Sequence, residues 1–145
     1  MYKFALEPVL NHRKSLEEVG QRELAAVERL AANENKKLKS CIRRKKALTK
    51  ELCRKQEKKI SVSEIMLYMG FIEKLSGQID RQRDRVRAIE KEADLKREGL
   101  IEAVKKRKSL EKLDEKGWRA HRKSVLKDEQ DFMNEVAVNR FIRTA

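Results

Sequence analysis

Two apolar stripes that mirror each other about Ile60 constrain the fold of this chain more than any other feature. Between residues 24 and 52, apolar side chains recur at alternating steps of three and four, the spacing that keeps one side of a helix against a partner helix. Seven of the nine positions in this first stripe are apolar. The positions are Leu24, Val27, Ala31, Glu34, Leu38, Cys41, Lys45, Leu48 and Leu52.

A second stripe follows the same spacing later in the chain, and ten of its thirteen positions are apolar. They are Tyr68, Ile72, Leu75, Ile79, Gln82, Val86, Ile89, Ala93, Lys96, Leu100, Ala103, Arg107 and Leu110. Facing positions have numbers that add to 120, so that Leu48 faces Ile72 and Val27 faces Ala93. This symmetry predicts an intramolecular antiparallel coiled coil, because a parallel dimer of one long helix does not require it.

The segment Lys58–Glu64 is where we expect the chain to reverse. Ser61 and Glu64 have the spacing of a capping box at a helix start. The two lysines that begin the segment suit the last turn of the preceding helix, where cations are favoured. We therefore predict an all-α fold, a long antiparallel two-helix coiled-coil hairpin. Helix 1 covers about residues 7–59, the turn lies near 60–62, and helix 2 covers about 63–142.

Polar residues interrupt several layers of the predicted pairing. Arg13 faces Arg107 and Glu34 faces Val86. Two further layers place a lysine opposite an apolar residue, at Lys45 with Leu75 and at Leu24 with Lys96. Polar residues in such a stripe lower stability but fix the register of the two helices.

The C-terminal part of helix 2 is expected to lack an intramolecular partner. The heptad spacing breaks after Leu110, and helix 1 runs out near residue 112, so residues 113–145 form an overhang. Its last part is amphipathic. The apolar residues there are Phe132, Met133, Val136, Ala137, Phe141 and Ile142. We interpret the overhang as a binding element rather than a fraying tail.

Composition supports long helices over an ordinary globular core. Of the 145 residues, 42% are charged and 5% are aromatic, which is typical of coiled coils when an apolar stripe is present. We expect a single coiled-coil domain over residues 1–145. No stretch of about 18 apolar residues predicts a membrane span, and the N-terminus lacks the apolar core of a secretory signal.

No residue pattern predicts catalysis. The chain has no phosphate-binding glycine loop and no nucleophile elbow, and His12 and His121 are isolated in sequence. Cys41 and Cys53 have no companion His or Cys nearby, whereas a structural zinc site needs about four close ligands. We therefore predict no catalytic residue, no metal and no cofactor, in a protein that is not an enzyme.

Positive charge is concentrated before the turn. The formal net charge is +13, and residues 36–59 hold twelve Lys or Arg against Glu51 and Glu57. Such a one-signed segment indicates an acidic protein surface or anionic headgroups as a partner. A nucleic-acid-associated basic coiled coil is an alternative, but sequence-specific binding is disfavoured because aromatic side chains for base stacking are nearly absent.

The segment directly after the turn is unusually apolar. Residues 65–72 are apolar apart from Gly70, yet a helix of a two-stranded coil buries only one stripe. Four residues fall outside that stripe, namely Ile65, Met66, Met69 and Phe71. They indicate either a partner-binding patch or local packing around the turn.

Four segments in the same order resemble the flagellar FliJ family. The start, residues 2–14, matches its Phe-x-Leu opening, and Tyr68–Ile79 matches its Tyr-x-x-Phe-Ile-x-x-Leu segment. Arg107–Leu113 is similar to the family's Arg-Lys-x-Leu-Glu-x-Leu run. Asp128–Ala137 is similar to its acidic ending, with Asn134 where Asp is usual. The resemblance spans the chain in order, spacing and length.

The resemblance implies a role in the flagellar type III export apparatus, and thus in flagellum biogenesis and motility. FliJ proteins form a stalk similar to the gamma subunit of rotary ATP synthases. The stalk sits in the pore of the hexameric export ATPase FliI, promotes its assembly, links it to the membrane export gate protein FlhA and interacts with export chaperones. The implied location is cytoplasmic, peripheral to the inner membrane and not inserted in it. The equivalent stalk of a virulence type III injectisome is an alternative with the same fold.

The resemblance also implies two sets of site residues. Those matching the gate contact are Lys37, Cys41, Arg44, Leu48, Phe71, Leu75, Gln78 and Gln82. By analogy with the gamma subunit, the end with both termini would enter the ATPase ring. The residues there are Phe4, Leu6, Leu10, Arg13, Leu113, Trp118, Phe132, Val136 and Phe141.

Overall fold

The chain forms two long α-helices and no β-strand. The computed structural model describes residues 1–145. Helix α1 covers Glu7–Glu57 and helix α2 covers Val62–Thr144, with lengths of 51 and 83 residues. Residues 58–61 connect them. The predicted all-α antiparallel coiled-coil hairpin is confirmed.

The helix ends differ from the expected positions by one or two residues. Helix α1 ends at Glu57 rather than near residue 59, so Lys58 and Lys59 lie in the connection and not in the last helical turn. Arg54 and Lys55 occupy that turn instead. Because they also carry positive charge, the favourable interaction with the C-terminal end of the helix dipole is kept.

Ser61 caps the start of α2 as its spacing predicts. The Ser61 Oγ accepts a hydrogen bond of 3.3 Å from the backbone N–H of Glu64. The Ser61 carbonyl accepts a second of 3.2 Å from the N–H of Ile65. The first contact satisfies an N–H group that has no partner within the helix at its first turn, and the second is the first i to i−4 hydrogen bond of α2. No residue of the connection needs a positive φ angle.

Contacts divide the chain into two compact units. The first, which we call the turn unit, is Gly20–Leu100. The second, the terminal unit, combines Met1–Val19 with Ile101–Ala145. The expectation that residues 1–145 form a single domain remains a prediction.

The two stripes meet inside the turn unit and form its core. Six residues of this unit are buried, and all are stripe positions: Glu34, Leu52, Ile79, Val86, Ile89 and Ala93. The other stripe positions of the unit are half-buried. A β-carbon on Gly20 would lie 3.4 Å from Cδ1 of Leu100, and these two numbers add to 120. The register centred on Ile60 is therefore present in the structure.

Two of the three cationic residues of the stripes, Lys96 and Arg107, pair with carboxylates beside the stripe. In the turn unit, Nζ of Lys96 lies 2.9 Å from Oε2 of Glu23, and this hydrogen bond raises the pKa of Lys96. In the terminal unit, Arg107 bonds both carboxylate oxygens of Glu111 at 2.8 Å and also pairs with Glu17. The hydrogen bond to Glu111 raises the pKa of Arg107 most, and the hydrogen bond to Glu17 raises it further.

Glu34 is the one charged residue buried in the core, with 2% of its surface exposed. Nε2 of Gln82 donates to the Glu34 carboxylate and, at 3.0 Å, to the Glu34 backbone carbonyl. Nζ of Lys37 lies 3.2 Å from the same carboxylate, and Nε of Arg85 lies 3.7 Å from it. The hydrogen bonds from Gln82 and Lys37 lower the pKa of Glu34 although burial opposes them. Burying a carboxylate requires such partners, so this cluster ties one layer of α1 to one layer of α2.

Acid should weaken the hairpin by protonating Glu34. Because the pKa of Glu34 in the folded chain is below its unfolded value of about 4.3, the ionised carboxylate stabilises the fold above that pH. The contribution is lost as the pH falls through the folded pKa. We expect the midpoint temperature of unfolding, followed by circular dichroism, to fall on acidification, and to fall less steeply in Glu34→Gln.

Glu28→Gln is the matched control, because Glu28 forms an exposed ion pair with Arg97 across the same two helices. Exposed pairs contribute little to stability. This variant should keep the pH slope of the parent chain. The same slope in Glu34→Gln as in the parent would contradict the role given to the buried carboxylate.

Candidate functional site

An open groove follows one flank of the turn unit. It consists of two adjoining concavities of about 460 Å³ each, which share Gln78 on α2. The first holds Arg44, Leu48, Phe71 and Leu75, and the second holds Lys37, Cys41 and Gln82. All eight residues matched to the gate contact therefore lie along one groove, which we call the flank groove.

The flank groove combines an apolar floor with a basic rim. Phe71 is 58% exposed, and the half-buried side chains of Leu48 and Leu75 lie beside it at the edge of the core. The rim carries five cations against Glu51: Lys37, Arg44, Lys74, Arg81 and Arg85. Apolar and cationic groups on one open surface suit a helical segment with an apolar stripe and acidic flanks.

Two of the eight residues are already engaged inside the protein. Nε2 of Gln82 donates its two hydrogen bonds to the backbone carbonyl and the carboxylate of Glu34. Lys37 forms an ion pair with the Glu34 carboxylate, although its side chain is 65% exposed. The main role of Gln82 is therefore to hold the two helices that line the groove together, and it has little capacity to donate hydrogen bonds to a ligand. Phe71 and Arg44 are exposed and remain the most accessible groups for direct contact.

At the end of the groove nearest the turn, Tyr68 links the two helices. Its hydroxyl donates a 3.0 Å hydrogen bond to Oε1 of Glu51. Nζ of Lys55 lies 4.9 Å from the centre of the Tyr68 ring, and Tyr68 raises the pKa of Lys55. These contacts orient Glu51 at the rim.

The terminal unit contains the nine residues matched to ring binding, and they differ in accessibility. Leu10 is buried, with 6% of its surface exposed, so it packs inside the helix pair and cannot itself meet a partner. Phe4 and Arg13 are half-buried. The other six are exposed: Leu6, Leu113, Trp118, Phe132, Val136 and Phe141.

Every residue of α2 from Trp118 onward is exposed. The guanidinium of Arg122 lies 5.4 Å from the Trp118 ring, a cation–π contact on the surface of α2. Phe132 and Phe141 have no packing partner on another helix, since no other helix covers this part of α2. The expected overhang is therefore present, and it begins after residue 117 rather than at 113.

The overhang starts later because the N-terminal segment extends the pairing, a contact that the stripe pattern did not predict. The Tyr2 hydroxyl donates a 3.2 Å hydrogen bond to the Asp114 carbonyl, and the ring lies 5.7 Å from that of His121. Burial, helped by Asp114, raises the pKa of Tyr2. Gly117 makes this approach possible, because a β-carbon there would overlap the Tyr2 hydroxyl. The isolated glycine was the only sequence signal for it.

No helix has a stretch long and apolar enough to cross a membrane. No three His, Cys, Asp or Glu side chains are grouped so that they could hold a metal ion. Cys41 and Cys53 are free thiols.

Comparison with protein families identifies the chain's relatives. The profile of the family described as Flagellar FliJ protein matches residues 2–145. The chain belongs to the flagellar FliJ family. Membership in the FliJ family supports a role as a component of flagellar type III protein export, within a family of structural export proteins that are not known enzymes. No curated protein sequence and no solved structure gives a significant match.

Adding a methyl group at Gly117 should displace Tyr2. In an exposed helix, Gly→Ala raises the free energy of unfolding by about 0.5–1 kcal/mol. We expect this gain for Gly99→Ala, which meets no atom within 4 Å, but not for Gly117→Ala. Urea unfolding of both variants measures the difference.

A Tyr2→Phe background separates the overlap from other causes, because it removes the hydroxyl that the new methyl would meet. Gly117→Ala should be less unfavourable in Tyr2→Phe than in the parent chain. Equal effects of Gly117→Ala in the two backgrounds would contradict the contact between Tyr2 and Gly117.

Proposed function

We propose that this FliJ-family chain is a non-enzymatic stalk that couples the hexameric export ATPase to the membrane export gate. It would act through two separate surfaces, with the flank groove for the gate and the exposed end of α2 for the ATPase ring. Export chaperones complete the proposed set of partners. In this role the protein works at the cytoplasmic face of the inner membrane as a peripheral protein that does not span the bilayer.

The gate proposal rests on one observation. All eight residues that match the gate contact of the FliJ family lie in one groove. They come from two segments that are far apart in sequence, residues 37–48 and 71–82, and only the antiparallel register brings them together. An apolar floor centred on Phe71 provides the kind of aromatic anchor that dominates binding energy at interfaces. The basic rim would steer an acidic partner segment to it.

The observation that carries the ATPase proposal is the uncovered end of α2. Phe132, Val136 and Phe141 are spaced by four and five residues, and all are exposed. Large apolar side chains left in water on a long unpaired helix indicate a surface that a partner covers. A pore lined by apolar and acidic groups would cover this helix on all sides at once.

Replacing Phe71 should weaken gate binding and leave the fold intact. The ring is mostly exposed, so Phe71→Ala removes an anchor without opening a cavity in the core. We expect the affinity for the soluble part of the gate protein, measured by calorimetry, to fall about tenfold or more. Helicity measured by circular dichroism should not change.

Leu95→Ala is the matched control, since Leu95 is 65% exposed on the same helix and lies outside the flank groove. Gate affinity should stay within about twofold of the parent, because isolated exposed apolar residues add little. If Phe71→Ala bound the gate as tightly as Leu95→Ala, the groove would not be the docking site.

Removing the end of α2 should abolish ATPase binding and spare gate binding. Truncation after Lys123 deletes Phe132, Val136 and Phe141 but keeps every residue that contacts Tyr2. We expect the truncated chain to lose stimulation of the export ATPase. Its affinity for the gate protein should match that of the full chain, because the turn unit is unchanged.

The double substitution Phe132→Ser with Phe141→Ser tests the same surface in a chain of full length. It should also reduce stimulation, since apolar contact is lost while length and charge are kept. Full stimulation by the truncated chain would refute the assignment of this surface to the ATPase. DNA binding that survives physiological salt in the absence of ATPase binding would favour the nucleic-acid-associated alternative.

A further inference from the structure

The positive charge before the turn is largely unneutralised within the protein. Residues 36–59 carry twelve Lys or Arg against two Glu, and only Lys37 and Lys55 of the twelve form ion pairs. Mixed charges would solvate a helix as well and repel less. The excess therefore calls for a negatively charged partner.

A stripe of exposed apolar side chains begins α2 beside this charge. Val62, Met66 and Met69 are 72%, 69% and 60% exposed. Their spacing of four and three places them on one side of the helix. Phe71 falls on the opposite side by the same geometry, so this stripe is separate from the flank groove.

Basic residues of α1 lie along the same side of the turn unit. Lys46 and Lys50 share a shallow groove with Ser76 and Asp80 of α2. Ser76 and Asp80 continue the helical spacing of the apolar stripe, at positions seven and eleven residues beyond Met69. The lysines and the stripe therefore face the same way. Glu73 lies between Met69 and Ser76, so the apolar part is confined to the end nearest the turn.

We call this combined face the turn surface. It consists of Lys46 and Lys50 with Val62, Met66 and Met69, all exposed, and the exposed Lys58 and Lys59 of the connection adjoin it in sequence. The surface therefore combines basic residues with a small group of exposed apolar side chains at the start of α2.

We propose that the turn surface docks on an anionic lipid bilayer. A bilayer offers diffuse negative charge with an apolar layer just beneath it, and the turn surface presents lysines around side chains that can enter that layer. Lysine stems can extend along the apolar surface while their ammonium groups stay at the headgroups. An acidic protein surface would satisfy the lysines but would leave the exposed apolar side chains of Val62, Met66 and Met69 in contact with polar groups.

Vesicle flotation with the full chain tests this proposal without any export protein, so its failure would leave the coupling proposal untouched. The probes are vesicles of phosphatidylcholine alone and vesicles that also contain phosphatidylglycerol. We expect binding to the anionic vesicles at about 0.1 M salt, and its loss at about 0.5 M, where charge is more strongly screened. Equal binding to both kinds of vesicle, or binding that salt does not weaken, would overturn the proposal.

Two pairs of variants separate the parts of the surface. Met66→Ser with Met69→Ser should lower the apparent affinity for anionic vesicles about tenfold, because the inserted apolar area is lost. The matched control is Leu67→Ser with Leu95→Ser, whose side chains are 64% and 65% exposed but fall outside the turn surface and the flank groove. The control should keep its affinity within about twofold.

The second pair of variants removes positive charge and leaves the exposed apolar side chains unchanged. Lys46→Gln with Lys50→Gln should weaken binding and flatten its salt dependence, whereas Lys106→Gln with Lys108→Gln should weaken it less. Circular dichroism of each variant verifies that the helices are retained. Unchanged vesicle binding by both turn-surface variants would overturn the proposal. So would binding to polyglutamate with no binding to anionic vesicles, which would identify an acidic protein as the partner.

Discussion

Each helix of a two-helix pair can bury only one narrow stripe of side chains, and the rest of this molecule follows from that limit. All the residues that are buried in the turn unit belong to the two stripes. Many large apolar side chains outside them are left in water, including Phe71, Met66 and Phe141. Exposed apolar side chains in such numbers on a two-helix protein indicate surfaces that bind partners.

Polar residues within the stripes make the pairing specific. An apolar stripe that repeats every seven residues could shift by one heptad at modest cost, but Glu34 would then lose Gln82 and Arg85 and keep only Lys37 of its own helix as a partner for its buried carboxylate. The half-buried pair of Arg107 with Glu17 has the same effect in the terminal unit. Register in turn decides which residues of α1 and α2 share the flank groove, so the buried carboxylate helps to position a groove that it does not itself line.

Sequence was sufficient for features that repeat and insufficient for features that occur once. Periodicity predicted the buried positions, the register and the cap at Ser61, because each depends on spacing along the chain. It gave no sign that Tyr2 packs against Gly117, since a single contact has no period. It placed Arg107 opposite Arg13 but could not show the guanidinium turning to Glu17 and Glu111, because side-chain direction is set by the finished packing.

Disulfide trapping tests the register most directly. In a chain whose own cysteines are replaced, Gly20→Cys with Leu100→Cys places two thiols where a β-carbon and a side chain are in contact. Mild oxidation should close an intramolecular disulfide at a rate that does not depend on protein concentration. Gly20→Cys with Ala93→Cys, displaced by one heptad, should not close. Faster closure of the displaced pair, or disulfide-linked dimers as the main product, would contradict the hairpin and the groove that depends on it.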